Sequence, residues 1–264
     1  MESLPRDVLE NLLSTLTDRE LYELSKRPDL KEAIGTLFKS NGFWLKRLEY
    51  FLGHPVLLEE RDWKNVYLKL TKSLETNNSF DKVFLSSCQN CDADIVGFLL
   101  EDKRIDPSIE GNYAIRAASR KGYTEIVRLL LNDNRVDPSA FNNDSIQTAS
   151  MNGFTEVMKL LLADKRVDPS ARDNVAIRLA PIRNNVEVVK LLLKDPRVDP
   201  SYDNNTSNNT SSENGHVEVV KLLLADKRVD PSTNNNIALK WASKNKHREA
   251  VELLKADPRV RALL

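Results

Sequence analysis

The pair Cys88-x-x-Cys91 has the spacing of a metal or redox site. A closed zinc site needs two further ligands, and the histidines His54, His216 and His247 all lie far from the pair in sequence. Carboxylates that could pair as acid and base recur at Asp94, Glu125, Glu156, Glu187, Glu218 and Glu249. They recur every 31 residues, once per repeated unit, so each marks the same helix start rather than half of a catalytic pair. There is no glycine-rich phosphate loop and no nucleophile motif. The expectation is a non-catalytic chain that uses no metal and no cofactor, with both cysteines explained by the repeat register.

The totals bound the answer further. The chain has 264 residues with 39 basic and 39 acidic side chains, a balance that argues against a dedicated nucleic-acid binder. Two cysteines suit a reducing compartment. The start "MESLPRDVLENLL" lacks the features of a secretory leader, and no apolar run approaches the ~20 residues of a membrane span. A cytoplasmic, monomeric protein is expected.

The elements behind these columns form a repeat. Pro107, Pro138, Pro169, Pro200 and Pro231 are spaced by 31, each inside a hexapeptide such as "KRVDPS". Six units fit: 78–108, 109–139, 140–170, 171–201, 202–232 and 233–264. Segments such as "TEIVRLLLND" and "VEVVKLLLAD" put apolar residues on one helical face. A shorter first helix carries small residues, with Ala118, Ala149, Ala180 and Ala242 in one column. Gly122, Gly153 and Gly215 supply a left-handed turn between the helices, with Cys91, Asn185 and Lys246 as substitutes. "NNTSNNTSSENG" at 204–215 replaces the first helix of the fifth unit, so a weak or frayed helix is expected there. The last unit, with its charged "KHREAVELLKAD", is expected to cap the array.

"GYTEIVRLLL", "NNVEVVKLLL" and "GHVEVVKLLL" resemble the second helix of the ankyrin repeat. The likeness covers 78–264, at a period of 31 rather than the usual 33. It is similar to short-period arrays of large DNA viruses and amoebae, which would place a viral chain in the host cytoplasm. The fold class implied is all-α: an ankyrin-like solenoid of helical pairs. The usual glycine after the second helix is absent, and Pro196 and Pro258 stand near its place, so a helix end without a left-handed cap is expected.

Residues 1–75 differ. Val8, Leu9, Leu12, Leu13 and Leu16 have helical spacing, and Thr17-Asp18-Arg19-Glu20 has capping-box spacing. Phe43, Trp44 and Phe51 form an aromatic cluster in sequence. Leu4, Pro5, Val8, Leu9, Leu12, Leu13, Leu21 and Trp44 match the pattern of an F-box, so residues 1–50 resemble that family. The helix expected within 51–77 would link this segment to the repeats, with Trp63 and Tyr67 packing on the first. The resemblance implies binding to the Skp-type adaptor of a cullin–RING ubiquitin ligase through Leu4, Pro5, Val8, Leu9, Leu12, Leu13 and Leu21. The alternative is an interaction scaffold in which residues 1–77 are an N-terminal cap.

A target would be read by the columns in which the units differ. The turns between units offer Tyr113, Phe141, Arg172 and Tyr202. The exposed side of the first helices offers Arg116, Arg120, Gln147, Met151, Arg178, Lys240 and Trp241. Arginines and aromatics of this kind dominate interface energetics. The function expected is therefore protein recognition, joining a bound target to a ligase.

Overall fold

A computed structural model describes residues 13–17, 20–21, 24, 38–39, 41–52, 62–77 and 79–263, apart from some side chains in the first two helices. The described residues contain no strand. The first helices with described bounds are α1 (Asn41–Leu52) and α2 (Trp63–Asn77). The helical pairs follow: α3 (Phe80–Asn90) and α4 (Ala93–Glu101), α5 (Ile109–Lys121) and α6 (Thr124–Asn132), α7 (Ala140–Asn152) and α8 (Thr155–Ala163). Next come α9 (Ala171–Leu179) with α10 (Val186–Lys194), α11 (Tyr202–Glu213) with α12 (Val217–Ala225), and α13 (Thr233–Lys244) with α14 (Arg248–Ala256). A short α15 (Pro258–Arg261) ends the described chain. The chain divides into two compact units, one of 1–87 with 94–105, the other of 88–93 with 106–264.

In the first unit, the capping box forms as the sequence predicts. Thr17 N and Oγ1 donate to Glu20 Oε2 at 2.7 and 2.8 Å, and Glu20 N donates back to Thr17 Oγ1 at 3.3 Å. The Thr17 amide, then its hydroxyl, hold the Glu20 carboxyl below its ordinary value. Phe43 and Trp44 are buried and meet edge to face, with Phe38 against both. Phe51 and Trp63 have side chains outside the described set. Tyr67, expected against the first repeat, lies 5.4 Å from Trp44, ring to ring. Its hydroxyl accepts from Arg47 Nη2 at 2.6 Å. Arg47 is itself buried, and its Nη1 donates to Leu16 O. A guanidinium is tolerated there because it is met by carbonyls, a phenol and aromatic faces.

In the second unit the pairs follow the sequence pattern. Each second helix buries its branched face, as with Ile126, Val127 and Leu130 in α6. Ala118, Ala149, Ala180 and Ala242 are fully buried, which lets the first helices approach one another. Gly122 and Gly153 are left-handed at φ 75° and 77°, as expected. At the next position of that column the assignment needs correcting: the left-handed residue is Asn184 (φ 58°), while Asn185 has φ −78°. A step of 31 from Gly153 lands on 184, and asparagine tolerates this conformation better than most residues. The first helix of that repeat tightens to a 3-10 turn over Ala180–Arg183, where Pro181 has no N–H to donate.

In the fifth repeat the first helix is formed and not frayed. After the left-handed turn at Asp203, Asn204 and Asn205, α11 runs as a regular helix to Glu213. Its neighbours on both sides hold it, so packing overrides its poor propensity. The second helices end as predicted, without a left-handed cap: Asp133, Asp164, Asp195 and Asp226 are extended, with φ from −83° to −92°.

Candidate functional site

The joints between repeats are built from the hexapeptide and the aspartate before it. Asp164 accepts from the amide, Nε and Nη2 of Arg166, the last at 2.6 Å. The same guanidinium reaches back one repeat, donating to Val136 O at 2.9 Å and Leu131 O at 2.8 Å. Arg197, Arg228 and Arg259 repeat this, reaching Val167, Val198 and Val229 at 2.7 to 2.9 Å. They also reach Leu162, Leu193 and Leu224. The leucine carbonyls belong to the last turn of the preceding second helix, where no helical donor remains. Each arginine thus caps one repeat from the next. The arginine bond holds Asp164, Asp195, Asp226 and Asp257 below the ordinary carboxylate value.

The rest of the hexapeptide is equally committed. Val136, Val167, Val198, Val229 and Val260 are buried. Asp168 Oδ1 accepts from Ser170 N and Oγ at 2.9 and 2.6 Å, and the pattern recurs at Asp106, Asp137, Asp199 and Asp230. The hexapeptide therefore fastens repeat to repeat and does more than end a helix.

Three consecutive left-handed residues open each first helix of this unit. They are Glu110, Gly111 and Asn112; Phe141, Asn142 and Asn143; Arg172, Asp173 and Asn174; Asp203, Asn204 and Asn205; and Asn234, Asn235 and Asn236. The third is always a buried asparagine. Asn112, Asn143, Asn174 and Asn205 each accept, through Oδ1, the amide of the next repeat's Asp137, Asp168, Asp199 and Asp230 at 2.7 to 2.9 Å. Sequence reasoning missed this column, although its spacing of 31 was there to be read. At Asn236 the ladder ends: Oδ1 is left without a partner, and Nδ2 donates to Val260 O.

The predicted recognition residues fall into two groups. Arg116, Gln147, Arg178 and Asn209, a residue the sequence reading did not single out, share one column, and each donates to a carbonyl five residues back: Gly111, Asn142, Asp173 and Asn204. Gln147, expected on the exposed side, is buried because its amide ties down this turn. Arg116 stays half-buried under the ring of Phe141, 4.0 Å from its centroid, and Phe141 is 61% exposed. Arg120 and Arg116 approach Asp144 at 3.3 and 3.9 Å. Tyr113 lies against Arg116 and its hydroxyl accepts from Gln89 at 3.0 Å. These residues make one contiguous cluster. Arg178 over Tyr202 makes a second, smaller one. Arg172 and Lys240 are exposed, and Met151 and Trp241 half-buried.

In the N-terminal set, Leu13 and Leu21 are buried in the first unit, while Leu4, Pro5, Val8, Leu9 and Leu12 lie outside the described residues. Cys88 is buried, which pushes its thiol up to about 12, and Cys91 is exposed and left-handed. Among the described residues no three His, Cys, Asp or Glu side chains converge as metal ligands. His216 Nδ1 and His247 Nε2 bond the carbonyls of Pro181 and Glu213 in the preceding repeats, a structural role. None of the described helices is long and apolar enough to cross a membrane.

No curated protein matches the chain. The family described as Ankyrin repeats (3 copies) matches it twice, over residues 84–173 and 175–262. With paired helices, turns between them and stacked joints repeating through both matched stretches, the chain belongs to the ankyrin-repeat family, a module of protein–protein interaction.

Proposed function

We propose that the protein is a recognition adaptor: the turns and first helices of the array bind a protein target, and residues 1–50 bind a Skp-type adaptor of a cullin–RING ligase. The observation that supports target binding is the cluster of Tyr113, Arg116, Arg120 and Phe141. There an exposed aromatic ring, Phe141, rests directly on a guanidinium. Tyrosine and arginine are enriched at interface hot spots, and stacking on the ring already restricts the Arg116 side chain before a target arrives. The ligase half rests on the F-box-like pattern at Leu4, Pro5, Val8, Leu9, Leu12, Leu13 and Leu21.

Titrating the full chain with purified Skp-type adaptor tests the ligase half. Saturable binding is expected, lost in a Leu4→Ala, Pro5→Ala, Leu9→Ala variant that keeps its helical circular dichroism. No binding at tens of micromolar sinks that half and leaves a second reading, favoured by the burial of Leu13 and Leu21: residues 1–77 are structural, and the protein is an interaction scaffold. Affinity capture from cell extract with the wild type and with Phe141→Ala tests the target face.

A further inference from the structure

The fifth repeat carries a polar core. In its first helix Ser207, Asn208, Asn209, Ser211 and Ser212 are all buried. Asn208 is completely buried, in the column filled elsewhere by Ile115, Ile146, Ile177 and Leu239. Neither Oδ1 nor Nδ2 of Asn208 has a hydrogen-bond partner, and Asn209 Oδ1 and Ser212 Oγ have none either. Lone hydroxyls are unbonded at Ser119 and Ser145, but only Asn208, among the described residues, has a whole amide sealed without a bond. Ser207 and Ser211 are satisfied: Ser207 donates to Ile177 O, and Ser211 to carbonyls of its own helix.

We propose that Asn208 makes the fifth repeat the breaking point of the array, so that residues 202–264 open together while 109–201 stay folded. A buried amide bonds water when exposed and nothing when sealed, so opening recovers its hydration at both ends. In a row of repeats stability is a sum of unit and neighbour terms, so the deficit stays where it is made. The joints on either side are ordinary: Arg228 and Arg259 make their usual bonds, and Asn205 receives Asp230 N. The weakness therefore lies in the core of one repeat, and the repeat that follows, joined to the rest of this unit through it, opens with it.

Amide hydrogen exchange of the full chain, read by mass spectrometry, tests this with Asn208→Leu and Asn208→Ile as variants. In the wild type, peptides from 202–264 should exchange at least about tenfold faster than those from 109–201, the factor one orphaned polar group supplies. Both variants should slow 202–264 by about tenfold or more and leave 109–201 unchanged. Equal rates along the wild-type array, or wild-type rates in both variants, would overturn the proposal.

Discussion

At the scale of single residues, one backbone conformation is occupied by different side chains for different reasons. A Cβ on Gly153 would lie 2.6 Å from Asn185 Oδ1, whose side-chain Nδ2 donates to Ser150 O and Met151 O. Gly153→Ala should therefore cost about 1–3 kcal/mol in urea unfolding, from left-handed strain plus the clash. Lys246 holds the same left-handed place at φ 63°, so Lys246→Gly should stabilise by about 0.5–1 kcal/mol. The glycine column was legible because glycine has so few reasons to recur. Gln147 was not: a long polar side chain on a helix reads as solvated until the turn it ties down is known. The left-handed state of Phe141, Arg172 and Asp203 was equally hidden, since nothing in those residue types calls for it.

At the scale of elements, the three-residue left-handed turn is the part of each repeat with the most to lose and the most freedom to vary. Its last residue is fixed by the asparagine ladder. Asn143→Ala would strand the amide of Asp168 and add left-handed strain, for a loss of about 1–3 kcal/mol in thermal or urea unfolding. Its first residue is exposed in every repeat of this unit, and its type varies. Phe141→Asn should leave stability unchanged or raise it by up to about 1 kcal/mol, while weakening target capture. Opposite signs for stability and binding at one residue are what a recognition residue predicts. The helix pairs themselves were readable from apolar spacing, but α11 was not, because its stability comes from neighbours that a propensity argument does not include.

At the scale of the whole molecule, the joints set the response to acid. The carboxylates of Asp164, Asp195, Asp226 and Asp257 titrate lower in the folded chain than in the unfolded one. Their stabilisation is complete above the unfolded value of about 4 and is lost as pH falls through the lower folded values. The urea midpoint should fall between pH 6 and pH 3, and an Arg197→Gln, Arg228→Gln variant, less stable at pH 6, should lose less over that interval. The same joints span very little sequence. Arg166 reaches residues 30 and 35 positions earlier, and Asn143 is met by the amide 25 positions later. During synthesis, the stretch from 109 onward could therefore complete each joint once about one further repeat has left the ribosome, so that its nascent chain would never hold more than a repeat or so of unfastened apolar helix.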